Sequence, residues 1–173
     1  MVELGDLGGS VRRCASLIAA VICCAAPLAA QEHDHAAHMR PDSAFAGVQQ
    51  RGGQVMGVDQ ATSRHVFEPL TDGGRIELQR MVDDTAGAAQ IRRHLHEVAQ
   101  QFARGDFSAP FLVHELQVPG TAVMAARRSQ ISYTVRDLPR GGEIRILTTD
   151  SAAVAAVHDF LAFQRQDHRA AAH

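Results

Sequence analysis

Ten histidines, and no cysteine beyond residue 30, limit the chemistry that this chain of 173 residues can offer. Imidazole nitrogens bind late first-row metals such as copper, and they exchange protons near neutral pH. Histidines that face the interior of a fold need hydrogen-bond partners or a metal ion. We therefore expect one site built from inward-facing histidines and a methionine sulfur, with these candidate ligands: His65, His94, His114, His158 and Met124.

A second candidate for copper binding lies near the predicted start of the mature protein. If a signal peptide ends at Ala30, the mature chain begins with Gln31, Glu32 and His33. Its amino group, two backbone nitrogens and the His33 imidazole then form a square plane of nitrogen ligands. Cu(II) and Ni(II) prefer this geometry, so His33 is also predicted to bind metal.

The spacing of these residues matches no metal or catalytic motif. The chain contains no H-E-x-x-H, paired C-x-x-C, G-x-S-x-G or G-x-x-x-x-G-K pattern. Three functions therefore stay open. The first is a non-catalytic metal-binding protein, and the second is a metal-free envelope domain that binds a protein or small ligand through residues 105–120. The third is a small hydrolase with a polar pocket around Asp59, Gln60, His65 and His114.

Two stretches with the same residue pattern must position these side chains. Each has an alternating strand pattern, a glycine pair, a second strand and a helical pattern that an aspartate can cap. The shared features are Gly73-Gly74 with Asp84, and Gly141-Gly142 with Asp150. The glycine pairs are expected in tight hairpin turns. The repeat predicts an α+β fold with two strand–strand–helix units, about 64–104 and 130–168, that form an antiparallel sheet of four or more strands with two main helices on one face.

The remaining segments carry weaker patterns. Residues 56–58 fit an additional edge strand, and residues 111–116 fit a short strand within the long connection 105–120. Thr121 is placed to cap a short helix that runs to Arg128. Long connections inside compact domains often carry function, so this one is a candidate binding segment.

The N-terminal region predicts export. Residues 1–30 combine Arg12 and Arg13 with an apolar run and a small-residue end, the pattern of a secretory signal peptide. Residues 31–53 are polar, glycine-rich and histidine-rich, which predicts a flexible leader. Residues 54–173 then form a single domain. We expect a periplasmic or secreted protein with no membrane span after signal removal.

The formal net charge of −2 argues against nucleic acid as a partner. The chain has 17 basic and 19 acidic residues, and such a balance provides no basic surface for phosphate groups. The expected partner is therefore a metal ion or a small ligand.

Several segments resemble a family of small exported bacterial proteins that has no established activity. The similar segments are 56–60, 73–78, 91–95, 105–107, 113–114, 118–120 and 157–164. Some members of that family are labelled aspartate carbamoyltransferase. This chain is too short for that enzyme and lacks its Ser-Thr-Arg-Thr phosphate loop, so the resemblance implies no catalytic mechanism.

Overall fold

The computed structural model describes residues 42–170, which contain five α-helices and four strands. The helices are α1 Asp42–Met56, α2 Thr85–Ala103, α3 Ser108–His114, α4 Thr121–Ala126 and α5 Ser151–Asp167. The strands are β1 Ser63–Leu70, β2 Gly73–Arg80, β3 Ile131–Leu138 and β4 Gly141–Thr148. Short 3₁₀ turns, Gln60–Thr62 and Arg128–Gln130, precede β1 and β3. This layout confirms the predicted α+β fold with two strand–strand–helix units.

The four strands form one antiparallel sheet in the order β1-β2-β4-β3. Each unit contributes one hairpin, and the hairpins meet along β2 and β4, where Ile76 pairs with Ile144. Ile144 follows Ile76 by 68 positions, and Gly141 follows Gly73 by the same number. Equivalent residues of the two units therefore meet at the centre of the sheet. This register is the one expected for a duplicated unit with internal two-fold symmetry.

Each main helix packs against the hairpin of the other unit. Helix α2 lies mainly on β3 and β4, whereas α5 lies mainly on β1 and β2. Both predicted caps are present, since Asp84 accepts a hydrogen bond from the Gly87 backbone N–H and Asp150 accepts one from that of Ala153. Because each unit buries the apolar face of its partner, the two units share one hydrophobic core.

The glycine pairs lie at the starts of β2 and β4 and not in the hairpin turns. The turns contain Thr71-Asp72 and Pro139-Arg140. Gly73 has a φ of +133°, and a β-carbon at this position would lie 2.3 Å from the carbonyl oxygen of Ile146. The expected role in the turn is thus wrong. Glycine is needed here because β2 and β4 approach each other closely and the backbone adopts a positive φ.

Three of the weaker sequence predictions also differ from the structure. Met56 ends α1, and the two residues after it form a bend and not an edge strand. The predicted short strand in the long connection is replaced by helix α3. Helix α4 is present, but Gly120 precedes it as the N-cap, while the Thr121 hydroxyl donates to the Val118 carbonyl oxygen. Periodicity over four to six residues does not separate a short strand from a short helix.

Helix α1 occupies the second half of the segment that the sequence predicts as a flexible leader. It packs against α3 and the Gln60–Thr62 turn and buries Val48, Gly52 and Met56. These tertiary contacts outweigh the low helix propensity of its glycines. Residues 31–41 and the predicted signal peptide 1–30 lie outside the described residues. None of the helices within residues 42–170 is long and apolar enough to cross a membrane.

Candidate functional site

A pocket of about 100 Å³ lies between the sheet and the helices. Its apolar lining comes from strands β1, β2 and β4, from α2 and α5, and from α1 and α3, which pack against each other. Representative apolar side chains are Ile76, Leu95, Phe102, Ile144 and Phe160. The two hairpins and both main helices thus enclose one space, which α1 and α3 complete.

Four histidines line this pocket: His65, His94, His114 and His168. His65 lies on β1, His94 on α2, and His114 is the last residue of α3. The structure therefore brings three of the four predicted histidines of the fold to one place, together with Gln60. They come from separate elements, as the sequence analysis expects.

The other predicted ligands lie elsewhere. The Nε2–H of His158 donates to the carbonyl oxygen of Leu70 over 2.8 Å, so this histidine secures α5 to the end of β1. Met124 is fully buried in the hydrophobic core and does not line the pocket. His33 lies outside the described residues.

The pocket histidines do not converge as metal ligands. Within residues 42–170, no group of three or more histidine, cysteine, aspartate or glutamate side chains could hold a metal ion. The rings of His65 and His168 stack, with centroids 5.1 Å apart and an interplanar angle of 19°. The described fold thus gives no support to the predicted copper site, and copper binding by His33 stays a prediction.

His114 is fixed by two side chains of α5. Its Nδ1 forms a hydrogen bond with the Asp167 carboxylate, and its Nε2–H donates to Gln164 Oε1 over 3.0 Å. Only 2% of His114 and 7% of Asp167 is exposed. Two acceptors on one ring match an imidazolium, which donates from both nitrogens, and the contact between His114 and Asp167 is an ion pair when the ring is protonated. This pair ties α3 to the C-terminal end of α5.

Three polar atoms at the pocket have no hydrogen-bond partner among the described residues. They are Gln60 Oε1, His65 Nε2 and His168 Nδ1, and all three are shielded from solvent. Gln60 as a whole is only 4% exposed. Buried polar groups of folded proteins are nearly always paired with protein, water or a ligand. The residues that line the pocket thus retain one unsatisfied amide oxygen and two unsatisfied imidazole nitrogens.

The imidazoles of His65, His94 and His168 are uncharged at neutral pH, because burial disfavours their protonated form. Burial lowers the pKa of His65 to about 4, with a further contribution from the nearby His94. Burial also lowers the pKa of His94. The pKa of His168 is lowered by burial and by repulsion from His65 and His114.

The turn before β1 directs Gln60 into the pocket. The Asp59 carboxylate accepts a hydrogen bond from the Ala61 backbone N–H over 2.8 Å and so caps the Gln60–Thr62 turn. The hydrolase hypothesis instead needs this carboxylate beside His65. Helix α1 lies directly over the Gln60 amide, since a β-carbon at Gly52 would be 2.8 Å from Gln60 Cδ.

Replacing Gly52 with alanine is expected to displace Gln60, unlike the same replacement at Gly53. Glycine to alanine within a helix is worth about 1 kcal/mol of stability. A β-carbon at Gly53 would meet only the Val58 carbonyl oxygen, at 3.5 Å, so Gly53→Ala should gain most of that amount. At Gly52 the contact with Gln60 should cancel the gain, which leaves Gly52→Ala about 1 kcal/mol less stable than Gly53→Ala. Urea unfolding of both variants measures the difference, and equal stabilities would contradict this packing.

Sequence reasoning missed His168, Gln164 and Asp167. A usable signal existed for two of them, because Gln164 and His168 follow Leu161 by three and seven positions, the spacing of one helix face. Asp167 carries no such signal. Its role appears only when α3 places His114 beside the end of α5.

Compared with protein-family models, curated proteins and solved structures, the chain matches none. The resemblance to small exported bacterial proteins therefore stays a prediction.

Proposed function

We propose that this protein is an exported, non-catalytic binding protein that holds a small, largely apolar molecule in the pocket between its sheet and its helices. The proposal is carried by one observation: an apolar lining combined with three buried polar atoms that lack partners within residues 42–170. Ligand pockets typically have this composition, with apolar walls and a few polar groups that orient the ligand. The sequence pattern of residues 1–30 supports export.

The pocket lining favours binding over hydrolysis. None of the described residues that line it is serine, threonine, cysteine, aspartate or glutamate. The uncharged imidazoles of His65 and His94 can accept a proton, but the lining offers no side-chain hydroxyl, thiol or carboxylate beside them to act as a nucleophile. A binding role needs no such group.

The long connection 105–120 takes part in the pocket, which supports its proposed role in binding. Helix α3 contributes Ala109, Pro110, Val113 and His114 to the lining. Because the His114–Asp167 pair anchors this helix to α5, α3 can form a fixed wall for a ligand. Preorganised walls lower the entropic cost of binding.

The volume of the pocket limits the ligand to about the size of one ring. An apolar cavity of about 150 Å³ holds benzene in another protein, and this pocket measures about 100 Å³. Benzene is therefore a suitable probe of the apolar part of the site, since it makes no conventional hydrogen bonds.

Titration of the full chain with benzene is expected to give saturable NMR shifts at residues that line the pocket. Val55 of α1 belongs to the lining, so Val55→Phe should fill part of the space and weaken benzene binding by about tenfold, or 1.4 kcal/mol. Val123 is 41% exposed on α4, and Val123→Phe is the matched control that should leave binding unchanged.

Two results would contradict this function. A folded protein that shows no saturable benzene binding would exclude an apolar ligand site. Stoichiometric copper in the untagged protein, lost in the His94→Ala and His114→Ala variants, would favour the metal-binding alternative on the fold. Copper lost only in His33→Ala would place a metal site in the N-terminal segment and leave the pocket to be decided by the benzene titration.

A further inference from the structure

We infer that the pocket selects an uncharged alcohol or phenol, whose hydroxyl group pairs with the unpartnered polar atoms of Gln60, His65 and His168. This inference rests on the proposed binding function and adds the chemical class of the ligand. Two features support it: the charges around the pocket, and the hydrogen-bond donors and acceptors of the residues that line it.

The charges at the pocket wall disfavour an ionic ligand. His114 and Asp167, the charged pair beside it, neutralise each other. The remaining histidines of the lining, His65, His94 and His168, are uncharged at neutral pH. An ion that enters such a site loses its hydration and finds no opposite charge to replace it. The pocket therefore favours a neutral molecule.

The unpartnered atoms match the hydrogen-bonding groups of one hydroxyl. Gln60 Oε1 accepts a hydrogen bond, whereas uncharged His65 and His168 can present Nε2–H and Nδ1–H as donors. A hydroxyl has one O–H donor and two lone pairs, which complement one acceptor and two donors. A carboxylate or a ketone has only acceptors and would leave Gln60 Oε1 unpaired, and a hydrocarbon would leave all three atoms unpaired.

Ring contacts hold the imidazoles in place. His168 stacks on His65 and meets the anchored His114 edge-on, with centroids 5.2 Å apart and an interplanar angle of 88°. The ring centroid of Phe67 lies 5.5 Å from that of His168. Because His114 is bonded to two side chains of α5, the donors are fixed before a ligand arrives, and such preorganisation increases selectivity.

Three probes built on the same six-membered ring test this inference: phenol, benzene and benzoate, each titrated into the full chain at neutral pH. Phenol is expected to bind about tenfold more tightly than benzene, the effect of a net hydrogen bond. Benzoate should bind at least about tenfold more weakly than phenol. In Gln60→Leu and in His65→Phe, phenol should bind at most about threefold more tightly than benzene, and benzene binding itself should be preserved. His96→Phe, at an exposed position of α2, should keep the full preference.

The outcomes separate this inference from the binding function on which it rests. Benzene binding as tight as that of phenol would overturn the inference and leave the binding function standing, and failure of both probes would overturn both. Benzoate binding tighter than that of phenol would identify an anion site instead. A full preference for phenol in Gln60→Leu and His65→Phe would show that other groups recognise the hydroxyl. If His65→Phe does not fold, the inference is tested by Gln60→Leu and by the comparison of the three probes on the unmodified chain.

Discussion

Replacing Asp167 with alanine is expected to lower the free energy of unfolding by about 3–5 kcal/mol. The carboxylate pairs with His114 where both residues are almost completely buried. Its removal takes away the carboxylate that pairs with the His114 imidazole in a low-dielectric environment, where losing one partner of a buried charged pair is costly. Urea unfolding followed by circular dichroism measures the loss.

Asp137→Ala is the matched control for this prediction. Asp137 pairs with Arg92 at 3.5 Å, but 61% of its side chain is exposed, so its removal should cost at most about 1 kcal/mol. His114→Ala should be destabilising to a similar degree as Asp167→Ala. The loss in free energy of unfolding in the double variant should be much smaller than the sum of the losses in the two single variants, because each substitution removes the same interaction. Additive losses, or a loss in Asp167→Ala no larger than in Asp137→Ala, would contradict the ion pair.

The strand–strand–helix units could be predicted because local patterns encode them. Strands show alternation at residues 75–78 and 143–146, and the helix of each unit begins after an aspartate that caps it. The packing of each main helix against the hairpin of the other unit could not be predicted in this way. That α2 covers the second hairpin and α5 the first depends on how the whole core packs, and periodicity within one element is the same for either arrangement.

Helix α1 shows how packing overrides local preference. Its segment contains Gly47, Gly52 and Gly53, which argue against a helix when it is considered alone. In the fold, Gly52 lets α1 approach the Gln60 amide, and the contact with α3 contributes further burial. The sequence carries the residues that permit this contact but no periodic signal that reveals it.

The histidine site could be predicted only in part. His65, at the start of a strand, and His114, in the long connection, are among the candidates, and both lie at the pocket. The partners of His114 lie 50 and 53 positions further along the chain, and no motif connects them. Met124 needs no metal, because a thioether packs favourably among apolar side chains, and His158 is satisfied by a backbone carbonyl.

Lowering the pH from 7 to 5 is expected to reduce the free energy of unfolding by about 2 kcal/mol through His65 alone. The pKa of His65 is about 4 in the fold, below its ordinary value of 6.5. The unfolded chain therefore binds the proton first, and stability falls as the pH falls through 6.5 and levels off near 4. The pKa values of His94 and His168 are lowered as well, so both add to the loss.

Variants at two histidines separate this effect from other titrations. Urea unfolding at pH 7, 6 and 5 should show a smaller loss for His65→Phe than for the unmodified chain, by about 2 kcal/mol at pH 5. His96→Phe, on the exposed face of α2, should retain the full loss. Asp84 and Asp106 do not interfere, because backbone hydrogen bonds from Gly87 and Ser108 hold the pKa values of these carboxyls below the ordinary value of an aspartate. An identical loss in His65→Phe and the unmodified chain would mean that His65 is solvated in the fold, which is incompatible with a buried Nε2 at the pocket.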